Sequence, residues 1–160
     1  MKTFLLRRKQ TLPIDLSSAW EFFSSPKNLK VITPKQMNFQ ILSQSGGEKM
    51  HEGQIIRYKV NVLPMIRMTW ITEITNVNDL VSFSDEQREG PYSLWRHTHS
   101  FRGVEGGVEM TDEVEYAVPF GYLGQLINAL FVERELKRIF DFRFQLLESY
   151  FRKQWDKSPT

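Results

Sequence analysis

The sequence predicts an α+β fold in which a curved antiparallel sheet of seven strands packs on one long C-terminal helix. Three observations predict it. Apolar and polar residues alternate with a period of two from Met37 to Pro119, the period becomes helical after Pro119, and a short apolar-faced helical stretch follows the first strand. At 160 residues the chain suits one core, expected over residues 1–155, with a disordered tail at 156–160.

From Thr3 to Leu12 the residues fit a first strand, which Pro13 stops by removing a backbone donor. Asp15 is placed as the N-cap of a helix whose Leu16, Ala19, Trp20 and Phe23 share one face, and Ser24, Ser25 and Pro26 end it. Pro26 suits a first helical position, so a second short helix runs through Leu29 and Val31 to Pro34.

Turn residues then cut Met37 to Pro119 into six strands. Phe39 to Ser43 is the first, closed by Gly46, Gly47 and Gly53. Ile56, Tyr58, Val60 and Val62 alternate with Arg57, Lys59 and Asn61, and after Pro64 so do Ile66, Met68, Trp70, Thr72 and Ile74 with Arg67, Thr69 and Glu73. A hairpin joins the two. Asn76 to Asp79 turns into Leu80 to Arg88, Gly90-Pro91 into Ser93 to Arg102, and Glu105-Gly106-Gly107 into Val108 to Val118. Strands that follow one another this closely read as a meander.

Past Gly121 the apolar positions Leu123, Leu126, Ile127, Leu130, Phe131, Ile139, Phe140, Leu146, Leu147 and Tyr150 outline one helix from Leu123 to Arg152, about 45 Å long at the standard rise. Leu126, Leu130 and Phe131 are expected in the core. Gly121 and Gly124 near the start of the helix are read as letting the backbone approach the sheet or leaving room for a ligand.

Composition narrows the function. With 21 basic and 19 acidic residues the net charge is +2, too weak a field to suggest nucleic acid. Without cysteine there is no disulfide, thiolate zinc site or thiol nucleophile. No apolar run reaches the roughly 18 residues of a membrane span and no signal-like segment opens the chain, so a cytoplasmic location is expected. Twelve Phe and four Trp contribute to an aromatic share of 13%, enough to fill a core or to line a pocket. No cofactor is implied, and the chain is expected as a monomer or homodimer.

One polar constellation stands out. Alternation puts Trp95, His97, His99 and Phe101 on one strand face, and Val108, Met110, Asp112, Val114, Tyr116 and Val118 on one face of the next strand, both directed inward. If Phe101 lies opposite Val108, His99 faces Met110, His97 faces Asp112 and Trp95 faces Val114, a register that a one-residue slip would invert. Phe83, Asp85 and Gln87 share a parity and join the set, so five polar groups meet on an apolar wall. His51 reads as a surface residue. Two histidines at i,i+2 with an aspartate nearby form a weak metal pattern, and no metal site is assigned.

The order strand, two short helices, six strands, long helix, entered through Pro119-Phe120-Gly121, resembles the helix-grip fold of the START-like or SRPBCC superfamily over nearly the whole chain. The stretch Phe83, Asp85, Gln87, Gly90-Pro91, Trp95, His97, His99, Phe101 and Thr111 to Tyr116 resembles a bacterial subgroup described as ligand-binding. That superfamily includes lipid-transfer domains, plant hormone and allergen proteins, and polyketide cyclases or aromatases. The resemblance implies a deep pocket between sheet and helix, and a small hydrophobic or amphipathic ligand such as a lipid, a polyketide-like compound or an aromatic one.

The expected lining is Tyr58, Trp70, Phe83 and Trp95 with Phe101 and Tyr116, roofed by Leu126, Ile127 and Leu130. Asp85, Gln87, His97, His99 and Asp112 supply the polar end. Three readings of that cluster stay open: a structural network, recognition of a ligand's polar end, or proton-transfer catalysis of the cyclase or dehydratase kind by His97, His99, Asp85 or Asp112. A module that docks a partner protein is a further alternative.

Overall fold

The computed structural model describes residues 1–63 and 65–155, with side chains as far as residue 153. Pro64 and the tail expected to be disordered lie outside the described residues. Seven strands form one antiparallel sheet in the order β1-β7-β6-β5-β4-β3-β2. They are β1 (Phe4–Leu12), β2 (Gln40–Gln44), β3 (Ile55–Leu63), β4 (Ile66–Asn78), β5 (Ser82–Glu89), β6 (Leu94–Val104) and β7 (Gly107–Ala117). Between β1 and β2 lie α1 (Leu16–Phe23) and α2 (Leu29–Ile32). Register shifts in the β2–β3, β3–β4 and β4–β5 pairings mark bulges, which bend the sheet.

Local chemistry sets the element ends. Asp15 caps α1 by accepting from the Ser18 backbone N–H at 2.9 Å and from the Ser18 hydroxyl at 2.6 Å. Strand β4 runs on through Asn78, beyond the turn read at Asn76 to Asp79, because Asn76 takes a left-handed φ of 52° and is absorbed as an irregularity in the ladder.

The C-terminal rod is helical from Gly121 to Trp155 but not one α-helix. It comprises α3 (Gly121–Ile127), a π turn (Asn128–Val132) and α4 (Glu133–Trp155). A Cβ on Gly124 would come within 1.8 Å of the Pro119 carbonyl oxygen, so the close approach read from the sequence is made against the Pro119 corner.

Two apolar clusters hold helix and sheet together. One gathers Leu12, Trp20, Phe23, Phe83, Phe101, Met110 and Leu147; the other Leu6, Val114, Tyr116, Leu136 and Phe140. On α4 the buried positions Leu136, Phe140, Arg143, Leu147 and Phe151 recur every three or four residues, so a single stripe faces the sheet. The other sheet face carries ion pairs such as Arg88–Glu73, Arg96–Glu86 and Arg102–Glu109. This division of faces follows the parity read from the sequence.

Two expectations are corrected. Leu126, Ile127 and Leu130 are 57%, 40% and 57% exposed and Phe131 is also exposed, so this segment is not core. The reason is the face they occupy: the buried positions Gly124, Asn128 and Leu136 are spaced in multiples of four, and these apolar residues fall between them, off the side turned to the sheet. The second correction concerns the hairpin. Glu105-Gly106 alone makes the turn, Val104 pairs with Gly107, and Phe101 lies opposite Met110, not Val108. Gly107 belongs to the ladder because its backbone passes so close to β1 that a Cβ would sit 1.9 Å from the Leu12 carbonyl oxygen. The shift is two residues, so every side chain keeps its face.

Candidate functional site

The observed register sets Asp85 opposite His97, His97 opposite Val114, and His99 between Phe83 and Asp112. His97, His99 and Asp112 are buried, and Asp85 is half-buried. They form a closed ring. His97 Nε2 donates to Asp112 Oδ1 at 3.0 Å and His99 Nε2 donates to Asp85 Oδ2 at 3.2 Å. The remaining nitrogens complete it: His99 Nδ1 is 2.9 Å from Asp112 Oδ1, though off the hydrogen-bonding direction, and His97 Nδ1 is 3.5 Å from Asp85 Oδ2. The imidazoles lie against each other at 3.9 Å, and Phe83 stacks on His99 at 4.4 Å.

The fifth member is Arg143 of α4. Its side chain is 9% exposed, its Nη2 lies 3.4 Å from Asp112 Oδ1, and the guanidinium is held against the rings of Phe23 and Phe140. The polar layer therefore has an apolar layer on either side in each element: Met110 and Val114 flank Asp112 on β7, and Phe140 and Leu147 flank Arg143 on α4.

Gln87 is not part of it. Its amide donates to the Tyr92 carbonyl at 2.7 Å and accepts from the Tyr92 N–H at 3.2 Å, so it braces the Gly90-Pro91 turn instead of reaching the histidines. Arg143 was not singled out in the sequence, although a signal existed. It occupies one inward place in the 136, 140, 143, 147, 151 series, where every other member is apolar.

Electrostatics fixes the protons. Burial alone would raise the Asp112 carboxyl, but the Arg143 charge and the hydrogen bonds from both histidines outweigh it and hold the group well below the usual carboxylate range. Asp85 is lowered as well: burial opposes ionisation, and the His99 hydrogen bond and charge, with the Arg143 charge behind them, overcome it. Burial and the neighbouring His99 charge push His97 down. His99 goes up, because its bonds to Asp112 and Asp85 prevail over burial. Two carboxylates, one imidazolium at His99 and the guanidinium thus sum to no net charge. Neutral His97 gives its proton to Asp112 and keeps a lone pair on Nδ1.

The ligand atoms of Asp85, His97 and His99 lie within 4.8 Å of one another, a grouping that offers a metal ion three donors. These atoms already face one another as acid and base partners, and the Arg143 cation touches the adjoining Asp112. The arrangement fits a proton network better than a divalent cation.

The remaining expected lining residues form an aromatic row. Tyr58 stacks on Trp70 at 5.9 Å, Trp70 meets Trp95 edge-on at 5.2 Å, and Tyr92 bridges Trp95 and Tyr116. Phe83 and Phe101 instead pack with Trp20 in the core beyond the ring. The sequence did not single out Asn128, which is 0% exposed on the π turn. Its amide lies near the Tyr116 hydroxyl, yet neither amide atom has a partner of hydrogen-bonding geometry. Trp70 Nε1 and Thr72 Oγ1 are equally unpaired.

The space beside the ring is small. A void of about 10 Å³ lies between Asp112, Arg143, Arg8 and Gln10, room for a single water-sized atom, where the sequence reading expected a deep pocket. A concavity of about 530 Å³ lies elsewhere, outside α1, between Trp20, Ser24, Glu48 and Asp79. No helix among the described residues is long and apolar enough to cross a membrane.

No protein family matches the sequence, and no curated protein does. Solved structures match in shape. TTHA0849 from Thermus thermophilus has a TM-score of 0.72 at 15% identity, over 97% of this chain and 100% of that one. Ara h 8.0201 gives 0.65 at 12% identity, covering 95% and 99%. BexL, a di-domain ARO/CYC protein from the BE-7585A biosynthetic pathway, gives 0.71 at 11% identity over 99% of this chain and 51% of that one. The seven-stranded sheet, the paired short helices and the long C-terminal rod therefore identify this chain's architecture as the helix-grip fold of Bet v 1-like, START-like proteins.

Proposed function

We propose that the chain binds a small molecule with an apolar body between the sheet and the C-terminal rod, along the row Tyr58, Trp70, Trp95, Tyr92 and Tyr116. One observation carries the reading. Trp70 Nε1, Thr72 Oγ1, the Asn128 amide, and Nε and Nη2 of Arg143 are buried polar atoms that have no protein partner at hydrogen-bonding geometry among the described residues, although Asp112 stands beside Nη2 and Tyr116 beside Asn128. A core built only for stability pairs such atoms, because each one left bare costs about 1–3 kcal/mol. Entry requires the rod to lift. Its Gly121–Val132 portion is suited to that, being exposed on one side and interrupted by the π turn.

Native mass spectrometry of the gently purified chain tests this, together with Trp fluorescence during titration with apolar compounds. A small molecule released on denaturation, or saturable quenching of the wall tryptophans, is expected. A bare chain with unresponsive tryptophans would overturn the reading.

A second reading is favoured by the His97 Nδ1 lone pair beside Asp85: proton-transfer chemistry of the cyclase or dehydratase kind, the class to which the ARO/CYC names point. Once a bound compound is identified, His97→Ala should abolish its turnover and leave its binding nearly intact. Unchanged turnover would remove His97 from any such mechanism.

A further inference from the structure

The edge of Arg143 that faces no partner has a chemistry of its own. Nε and Nη2 lie along one edge of the planar guanidinium, and their N–H bonds run nearly parallel, the two-donor fork that grips both oxygens of a carboxylate. Both are buried and both lack a hydrogen-bond acceptor. The nearest carboxylate, Asp112, does not fill the role. It stands 3.4 Å from Nη2 without hydrogen-bonding geometry, and its Oδ1 already accepts from His97 Nε2 at 3.0 Å, with His99 Nδ1 close by at 2.9 Å. Beside this fork lies the void of about 10 Å³, bounded by a second guanidinium at Arg8, by the Gln10 amide and by the Asp112 carboxylate. Arg8 is held by Asp141 at 3.1 Å and Gln10 by the Phe144 carbonyl at 2.8 Å, so both walls are fixed.

We propose that the ligand's polar end is a carboxylate, received by the Nε and Nη2 edge of Arg143 with one oxygen in the adjoining void. The assignment deepens the binding function proposed above and rests on it. Other head groups fit less well. An ammonium would meet two guanidinium groups against the single Asp112 carboxylate, which already accepts from His97; an alcohol has one oxygen for two donors, and the three free oxygens of a phosphate exceed a one-atom void. The ligand class is therefore an amphipathic carboxylic acid, its body directed toward the aromatic row.

The test uses the full chain and two pairs of probes matched in body and differing in head: decanoate against decanol, and 2-naphthoate against 2-naphthol. Affinity is read from tryptophan fluorescence and confirmed by calorimetry. In at least one pair the acid should bind tenfold or more tighter than its alcohol. R143M should reduce the acid to the affinity of the alcohol, and R143K, which keeps the charge without the fork, should recover only part of the loss. Equal affinity for acid and alcohol, or an unchanged acid affinity in folded R143M, overturns the carboxylate assignment and leaves the binding function standing. If none of the four probes binds, both are overturned. Should R143M fail to fold, the acid and alcohol comparison on the unaltered chain decides alone.

Discussion

Arg143 Nη2 on the C-terminal helix lies 3.4 Å from Asp112 Oδ1 on the last strand, joining the two layers through opposite charges at the centre of an otherwise apolar contact. Both side chains are less than a tenth exposed, so bulk solvent does little to screen either charge. Each makes the burial of the other tolerable, and the two histidines make up the rest of the balance.

Asp112→Asn keeps the shape and removes the charge. It leaves Arg143 without its counter-ion and His99 with Asp85 alone, and breaking a buried pair in this way costs about 3–5 kcal/mol. Urea unfolding should show that loss, and adding R143M to D112N should return part of it. A cost below about 1 kcal/mol would mean that the ring reorganises freely.

The titration directions give a pH profile. Asp85 and Asp112 are depressed in the fold, so their stabilisation is complete above the ordinary carboxylate value of 3.8 and is lost as pH falls through their lower folded values. His99 is raised above 6.5: it stabilises below that value, and the contribution disappears as pH rises through its folded pKa. His97 is lowered and acts in the opposite sense, stabilising above 6.5 and losing that contribution as pH falls. The two windows meet at 6.5 without overlapping, so unfolding free energy should climb steeply from the acid side, crest near that pH and decline above it as His99 loses its proton. Imidazole resonances in NMR should place the His99 titration above that of His97; the reverse order would refute the proton assignment.

Asn128→Leu replaces an unpaired buried amide by a side chain of similar size. The amide's desolvation penalty of about 1–3 kcal/mol should then be recovered in part, giving a higher Tm by calorimetry along with weaker uptake of ligand. A lower Tm would show that the amide is satisfied in the folded chain.

Leu130→Lys probes the surface found where the sequence suggested core. At 57% exposure the position should tolerate the charge to within about 0.5 kcal/mol in denaturant unfolding. A loss of several kcal/mol would return the residue to the interior.

Much of the architecture was legible because alternation is a strong signal. The inward parity of Phe83, Asp85, His97, His99, Phe101 and Asp112 follows from period two alone, and an error of two residues in the hairpin left it untouched. What failed depended on features that periodicity does not report. Gln87 has the right parity, but its amide meets a nearby turn first. Arg143 has the right helical phase, yet hydropathy places a charge outside. Leu126 and Leu130 are apolar, but apolarity alone does not say which side of the rod meets the sheet, and the residues that do meet it there, Gly124 and Asn128, carry no apolar signal.

Five residues wound as a π turn act on the rod like a gear with one extra tooth. An α-helix advances about 100° per residue, so the segments on either side of Asn128–Val132 are clocked apart by roughly that angle. Deleting a single residue from that turn would re-clock everything upstream at once, swinging the bare leucines of Gly121–Ile127 to a new bearing and turning the buried amide away from Tyr116, with the strands left as they are.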